Sequence, residues 1–118
     1  MKKYDLEDRT LAFAKETIRF VNKVSKTLPN IEIAKQLIRS SGSVGANYIE
    51  ANESLGKKDF AMRIKICRKE AKESRDWLQL LDCSDDLTDH RNHLIQESAE
   101  LMKIFGAILE RTKQVFPT

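Results

Sequence analysis

The chain has 118 residues, of which 33% are charged and 41% hydrophobic, with four Gly, two Pro and a net charge of +3. That length fits one domain able to close a helical core without disulfides or metal. Cys67 and Cys83, neither in a CxxC pair, exclude a disulfide framework, and no run of about 18 apolar residues offers a membrane span.

Few breakers and many Ala, Leu, Lys, Glu and Arg favour helix. The first helix is expected from about residue 6 to 28. Leu11, Ala14, Ile18, Val21, Ser25 and Leu28 follow the alternating three- and four-residue spacing of a bundle seam. Phe13 and Phe20 lie about a quarter turn away, beside Val24, and widen the apolar face. Leu28-Pro29-Asn30 is the expected joint, with Pro29 as breaker and Asn30 as the cap of the next helix.

The second helix is expected over 31–54. Ile38, Ser41, Gly45, Tyr48 and Asn52 share one face, with Leu37, Val44 and Ala51 beside it. After Ser54-Leu55-Gly56, the third helix is expected over 57–82. Its seam of Phe60, Ile64, Cys67, Ala71, Ser74, Leu78 and Leu81 is the clearest periodic signal in the chain. Residues 83–86 form the third joint. Thr88 or Asp89 caps a fourth helix to about residue 115, with Leu94, Ser98, Leu101, Phe105, Ile108, Thr112 and Val115 as its seam and Pro117 as its stop. No strand pattern competes. Short joints make sequential helices antiparallel neighbours. The expected fold is therefore an all-α, up-down-up-down antiparallel four-helix bundle, one domain spanning 1–118.

Four segments invite a chemical reading. Ser40 to Ala46, SSGSVGA, matches no phosphate-loop spacing and follows no strand, so it is expected to be a small helix face for close packing. Gly42 and Gly45 each cost a helix about 0.8–1.0 kcal/mol relative to Ala, which close backbone approach would offset. Asn47 and Glu50, one turn apart beside these small residues, are expected to form a structural polar lock rather than a catalytic pair. His90, His93 and Glu97 share a face of the fourth helix. The region is acidic and polar and has no HExxH, so no metal site is expected. No cofactor is implied.

The third helix sorts its charges. At 100° per residue with Phe60 at zero, Lys57, Lys58, Lys65, Arg68, Lys69, Lys72 and Arg75 fall in one arc of about 120°. Arg63 lies elsewhere. Asp59, Glu70 and Glu73 lie on the opposite flank, and only Asp76 intrudes on the basic arc. Like-charge i,i+4 pairs such as Lys65–Lys69 are mildly destabilising, so the arc is either a solvated face neutralised by neighbours or a polyanion-binding stripe. No aromatic is interleaved, so base stacking is not suggested. Met62, Ile66, Trp77 and Leu80 form a second apolar stripe on the same helix. With Phe13 and Phe20 they are expected to be an oligomer interface.

The segments Gln36-Leu37-Ile38-Arg39-Ser40, Gly45-Ala46-Asn47, Glu50-Ala51, Lys58-Asp59-Phe60, Lys69-Glu70-Ala71 with Glu73, and Trp77-Leu78 with Leu80-Leu81 resemble the bacterial four-helix bundle protein family. That family includes proteins encoded by intervening sequences in 23S ribosomal RNA genes. The chain is also similar to the accessory variability proteins of diversity-generating retroelements. The resemblance covers about residues 10–115 and is densest over 33–81. It implies a ring-like homopentamer without enzymatic activity. Through the retroelement relatives it implies nucleic-acid binding on a basic surface and a reverse-transcriptase partner. Where the family carries Gly-Thr or a similar pair after Arg-Ser, this chain has Ser41-Gly42.

The function expected is thus a non-catalytic, oligomeric protein that binds RNA or DNA through the third helix. The alternative is a protein-interaction scaffold with no nucleic-acid contact. The N-terminal MKKYDLEDRTLAF lacks the apolar core of a secretory signal, which points to the cytoplasm.

Overall fold

The computed structural model describes residues 5–115, with side chains to residue 113. Pro117 and the side chain of Val115, read above as helix stop and seam, lie outside the described residues. Four helices, α1 Leu6–Lys23, α2 Leu28–Asn52, α3 Lys57–Leu80 and α4 Thr88–Val115, are joined by short segments, the last containing a 3-10 turn at Asp85–Leu87. Contacts between helices run in opposite numerical order. Asn47 meets Arg63 and Ser40 meets Ser74 between α2 and α3, while Arg9 meets Glu97 and Glu16 meets His90 between α1 and α4. Each pair is therefore antiparallel, and the fold is the four-helix bundle expected. No described helix is long and apolar enough to cross a membrane.

The first joint differs from expectation. α1 ends at Lys23, and the chain from Val24 runs extended to Thr27. Thr27, not Asn30, caps α2 by accepting the Asn30 N–H at 3.2 Å. Pro29 sits in the first turn of α2, where a missing N–H leaves nothing unpaired. Asn30 is thereby released for a different task. Its buried Nδ2 donates to the carbonyls of Ser25 at 3.0 Å and Asp82 at 2.8 Å, and its Oδ1 accepts the Asp82 N–H at 3.0 Å. One side chain ties the α1–α2 joint to the end of α3. Arg91 completes that corner by donating to the carbonyl of Leu81 at 2.8 Å.

The core also corrects the reading of α1. The inward residues are Thr10, Phe13, Thr17, Phe20 and Val24; Leu11 and Ile18 are 53% and 46% exposed. Ser25 and Leu28, from the same expected seam, are exposed too. Two physical reasons favour this rotation. Two phenylalanines bury more apolar area than Leu11 and Ile18 would. The threonines can enter the core because Thr10 Oγ1 donates to the carbonyl of Glu7 and Thr17 Oγ1 to that of Phe13, at 3.1 and 2.8 Å. On α3 the expected seam from Ile64 to Leu78 is buried and Phe60 half-buried. On α4, Leu94, Ser98, Leu101 and Phe105 are buried, after which the seam passes to Leu109 rather than Ile108.

α2 is an unbroken helix through Ser40 to Ala46. A Cβ on Gly45 would lie 2.9 Å from Thr10 Oγ1, so α1 approaches too closely there for any side chain. Ser40 and Ser74 share a 2.8 Å hydrogen bond across the buried α2–α3 contact. At Gly42 a methyl group would meet nothing within 4 Å, so this glycine takes no part in the close packing.

Candidate nucleic-acid interface

The charges of α3 are sorted by its neighbours. On its α2 side, Arg39 donates from Nη1 to Glu70 Oε2 at 3.2 Å and from Nη2 to Glu73 Oε1 at 2.7 Å, and Trp77 Nε1 donates to Glu73 Oε1 at 3.3 Å. The acidic flank is thus turned inward against a partner cation. On its α4 side, Arg68 lies over Gly106, with Nη1 3.9 Å from the Cβ position of that glycine. Between the two neighbours, Lys58, Lys65, Lys69 and Lys72 face solvent, and Arg68 is exposed at their edge. None of these five cations has an ion pair within 4.0 Å among the described residues. Lys58, Lys65 and Lys72 recur every seven residues on one line, spaced about 10.5 Å along the helix axis.

The two remaining residues of the expected stripe sit differently. Lys57 is exposed at the start of α3, where it lines an open depression together with Lys58, Leu55, Phe60 and Thr112. Arg75 is half-buried and 3.8 Å from Asp76. Lys69 and Lys72 also border a depression whose other walls are Arg39, Glu70, Glu73 and Asp76.

Burial, and then the charge of Glu73, push the Glu70 carboxyl above the usual carboxylate range against the pull of Arg39. Glu73 is also raised by burial, but the hydrogen bonds from Arg39 and Trp77 outweigh that and hold it below. Removing the guanidinium leaves Glu70 buried without its counter-charge. Arg39→Ala is expected to lower stability by about 1–3 kcal/mol at pH 7. A carboxyl raised in the folded state is stabilising only when protonated. The Glu70 part of the deficit should therefore shrink as pH falls through the native value and vanish below the unfolded value of about 4.3. Glu73 acts in the same direction but lower on the scale, because the stability its depressed pKa confers on the wild type is lost only as pH falls below about 4.3 through its lower native value. Thermal melts from pH 7 to pH 4 test this; a deficit independent of pH would refute it.

The expected oligomer interface is partly overturned. Phe13 and Phe20 are 2% and 0% exposed, so they belong to the core of the single chain and cannot present a surface. Met62 and Leu80 are exposed, while Ile66 is half-buried and Trp77 half-buried against the core. Several large apolar residues that are exposed, Leu11, Ile18, Ile31 and Ile38, lie instead along α1 and α2. Val21, Ile31, Ala34 and Ile38 line an open depression between α1 and α2. Ile18 and Leu11 continue it along α1, at about one and three turns from Val21.

The polar lock has a different partner from the one expected. Asn47 Nδ2 donates to the carbonyl and Oγ of Ser43, both at 2.9 Å, and its Oδ1 accepts from Arg63 Nη1 at 3.0 Å. Glu50 is exposed, and its carboxylate makes no hydrogen bond or ion pair among the described residues. The lock is Asn47–Arg63, which also explains why Arg63 alone stands apart from the basic arc.

The His90, His93 and Glu97 face is taken up by α1. Glu97 receives a bidentate pair from Arg9 at 2.8 Å, His90 Nε2 is 3.2 Å from Glu16 Oε2, and His93 is exposed. Arg19 also pairs with Glu16. Among the described residues no group of three His, Cys, Asp or Glu is placed to hold a metal. Both cysteines are free. Burial pushes the Cys67 thiol up to about 12, which keeps it protonated and unreactive at neutral pH.

The sequence model of the 23S rRNA-intervening sequence protein family matches residues 2–107. Among solved structures, the chain is similar to a protein of unknown function from the S23 ribosomal protein family of Bacteroides thetaiotaomicron. The two are 27% identical with a TM-score of 0.77, over 89% of this chain and 98% of that one. No curated protein matches the chain.

Proposed function

This chain belongs to the 23S rRNA-intervening sequence protein family, and from that premise we propose that it is a non-catalytic, self-associating bundle that binds nucleic acid on the outer face of α3. The observation that carries this reading is the set of five exposed cations, Lys58, Lys65, Arg68, Lys69 and Lys72, left without acidic partners once Arg39 has drawn Glu70 and Glu73 toward α2. Such a face gains affinity chiefly by displacing counterions from phosphates, so binding falls steeply with salt and depends little on sequence. The absence of catalysis is supported by the fates of the reactive groups, since Cys67 is buried and protonated and Asn47 is engaged by Arg63.

Charge reversal tests the face directly. The double variant Lys65→Glu/Lys69→Glu is expected to weaken binding of RNA or DNA at least about tenfold at low salt, with an unchanged helical spectrum and melting temperature. Both positions are exposed, so the fold should tolerate the change. Unaltered affinity would move the site off α3.

The self-association in this proposal follows the ring-like pentamer implied by the family resemblance. It is supported by the exposed apolar residues Leu11, Ile18, Ile31 and Ile38 along α1 and α2. Sedimentation velocity is expected to show an oligomer for the wild type and smaller species for Ile18→Asp/Ile38→Asp. A wild type that stays monomeric at high micromolar concentration would remove self-association and leave α3 binding alone.

A further inference from the structure

Resting on the α3 reading above, we infer that the basic face recognises the phosphate backbone of a duplex in preference to a single strand. Three observations carry this. The first is the row itself: Lys58, Lys65 and Lys72 stand on one line of a continuous helix, about 10.5 Å apart, with Lys69 and Arg68 beside them. A rigid row of charges matches a rigid lattice of phosphates. A flexible strand must be ordered to meet it, at an entropic cost.

The second is what the row lacks. Proteins that hold single strands combine a cationic groove with aromatic rings on which bases stack. Phe13, Phe20 and Phe105 are buried in the core, and Tyr48, Phe60 and Trp77 are half-buried and packed against it. The Trp77 indole N–H is further engaged by Glu73. No exposed aromatic stands among the described residues of this face.

The third is the form of the surface beside the row. The depression beside Lys69 and Lys72 is walled by Arg39, Glu70, Glu73 and Asp76, and because Arg39 is committed to Glu70 and Glu73 it offers a strand no surplus positive charge. A second depression, at the start of the row, is lined by Lys57 and Lys58, but its one ring, Phe60, is half-buried against the core; from Lys65 to Lys72 the row is a projecting cationic ridge. It gains by counterion release, and that gain is larger per contact on a duplex than on a single strand.

The test is fluorescence anisotropy with the full chain at about 50 mM salt. The probes are a 24-mer single strand of DNA and of RNA, and the corresponding DNA and RNA duplexes. At least one duplex is expected to bind about tenfold tighter than its single strands, with a log–log salt slope between about −2.7 and −4.5 for three to five phosphate contacts. The ratio between the two duplexes identifies the sugar preferred. The Lys65→Glu/Lys69→Glu variant should lose the duplex advantage while keeping its melting temperature. Equal or tighter binding of single strands would overturn the inference and leave the nucleic-acid reading standing. Failure of all four probes to bind would overturn both.

Discussion

Phe20→Ala is expected to destabilise the folded chain by about 3–5 kcal/mol, the loss for an aromatic ring removed from a packed core. Phe20 is fully buried, its ring meets His90 edge-on at a centroid distance of 5.3 Å, and it lies where α1 closes on α4. The cavity left behind cannot collapse easily, because α1 is held in place elsewhere by the Arg9–Glu97 pair and the tight Thr10–Gly45 contact. Urea denaturation at low and high micromolar concentration gives the measurement. A core role requires the same difference from wild type at both concentrations. An interface role would make the difference grow with concentration, by mass action on the assembled form. A loss under about 1 kcal/mol would remove Phe20 from the core. Ile18, two positions earlier but facing outward, should behave in the opposite way: its replacement by Asp alters assembly and leaves monomer stability nearly unchanged.

Asn30→Ala carries the second largest expected effect, a loss of about 2–3 kcal/mol. The amide makes three hydrogen bonds to main-chain groups of Ser25 and Asp82, and alanine replaces none of them. The carbonyls lie at a corner that water can partly reach, which keeps the loss below that of fully buried groups. Asn30→Asp is the informative companion. It retains an acceptor for the Asp82 N–H but sets a carboxylate against two carbonyl oxygens. It should therefore be worse than alanine at neutral pH and recover as the carboxyl protonates. Amide exchange at Asp82 is expected to accelerate in both variants. A change within about 0.5 kcal/mol for Asn30→Ala would show the corner to be held by Arg91 and apolar packing instead.

The parts of the molecule that were legible in sequence share one property: their signal is local. α3 has a single strong apolar stripe, so its seam from Ile64 to Leu78 could be placed from spacing alone. The same arithmetic put Lys58, Lys65, Arg68, Lys69 and Lys72 on one arc, and all five are exposed. α1 was different because it carries two apolar stripes of similar strength. The Leu11–Ile18 stripe looks better by residue type, since the competing stripe includes Thr10 and Thr17. The competing stripe is the buried one because its threonines satisfy their hydroxyls on the preceding turn, which no count of apolar residues registers. Asn30 and Pro29 were read as boundary signals. Both do lie near the boundary, but the cap is Thr27, and the position of α3 lets Asn30 reach across to Asp82.

By itself, then, the sequence determined the number and class of the helices, their antiparallel order and the sorting of charge around α3. These follow from periodicity, breakers and joint length, all of which act within a helical turn or a short loop. The tertiary structure decided which stripe of α1 turns inward, that Arg39 rather than solvent receives Glu70 and Glu73, and that Arg63, already set off the basic arc by its spacing, pairs with Asn47. Those outcomes depend on which groups a neighbouring helix brings within hydrogen-bond reach. On a helix, adjacent residues point about 100° apart, so a choice between two near-equal faces is settled by the partner surface and not by the helix.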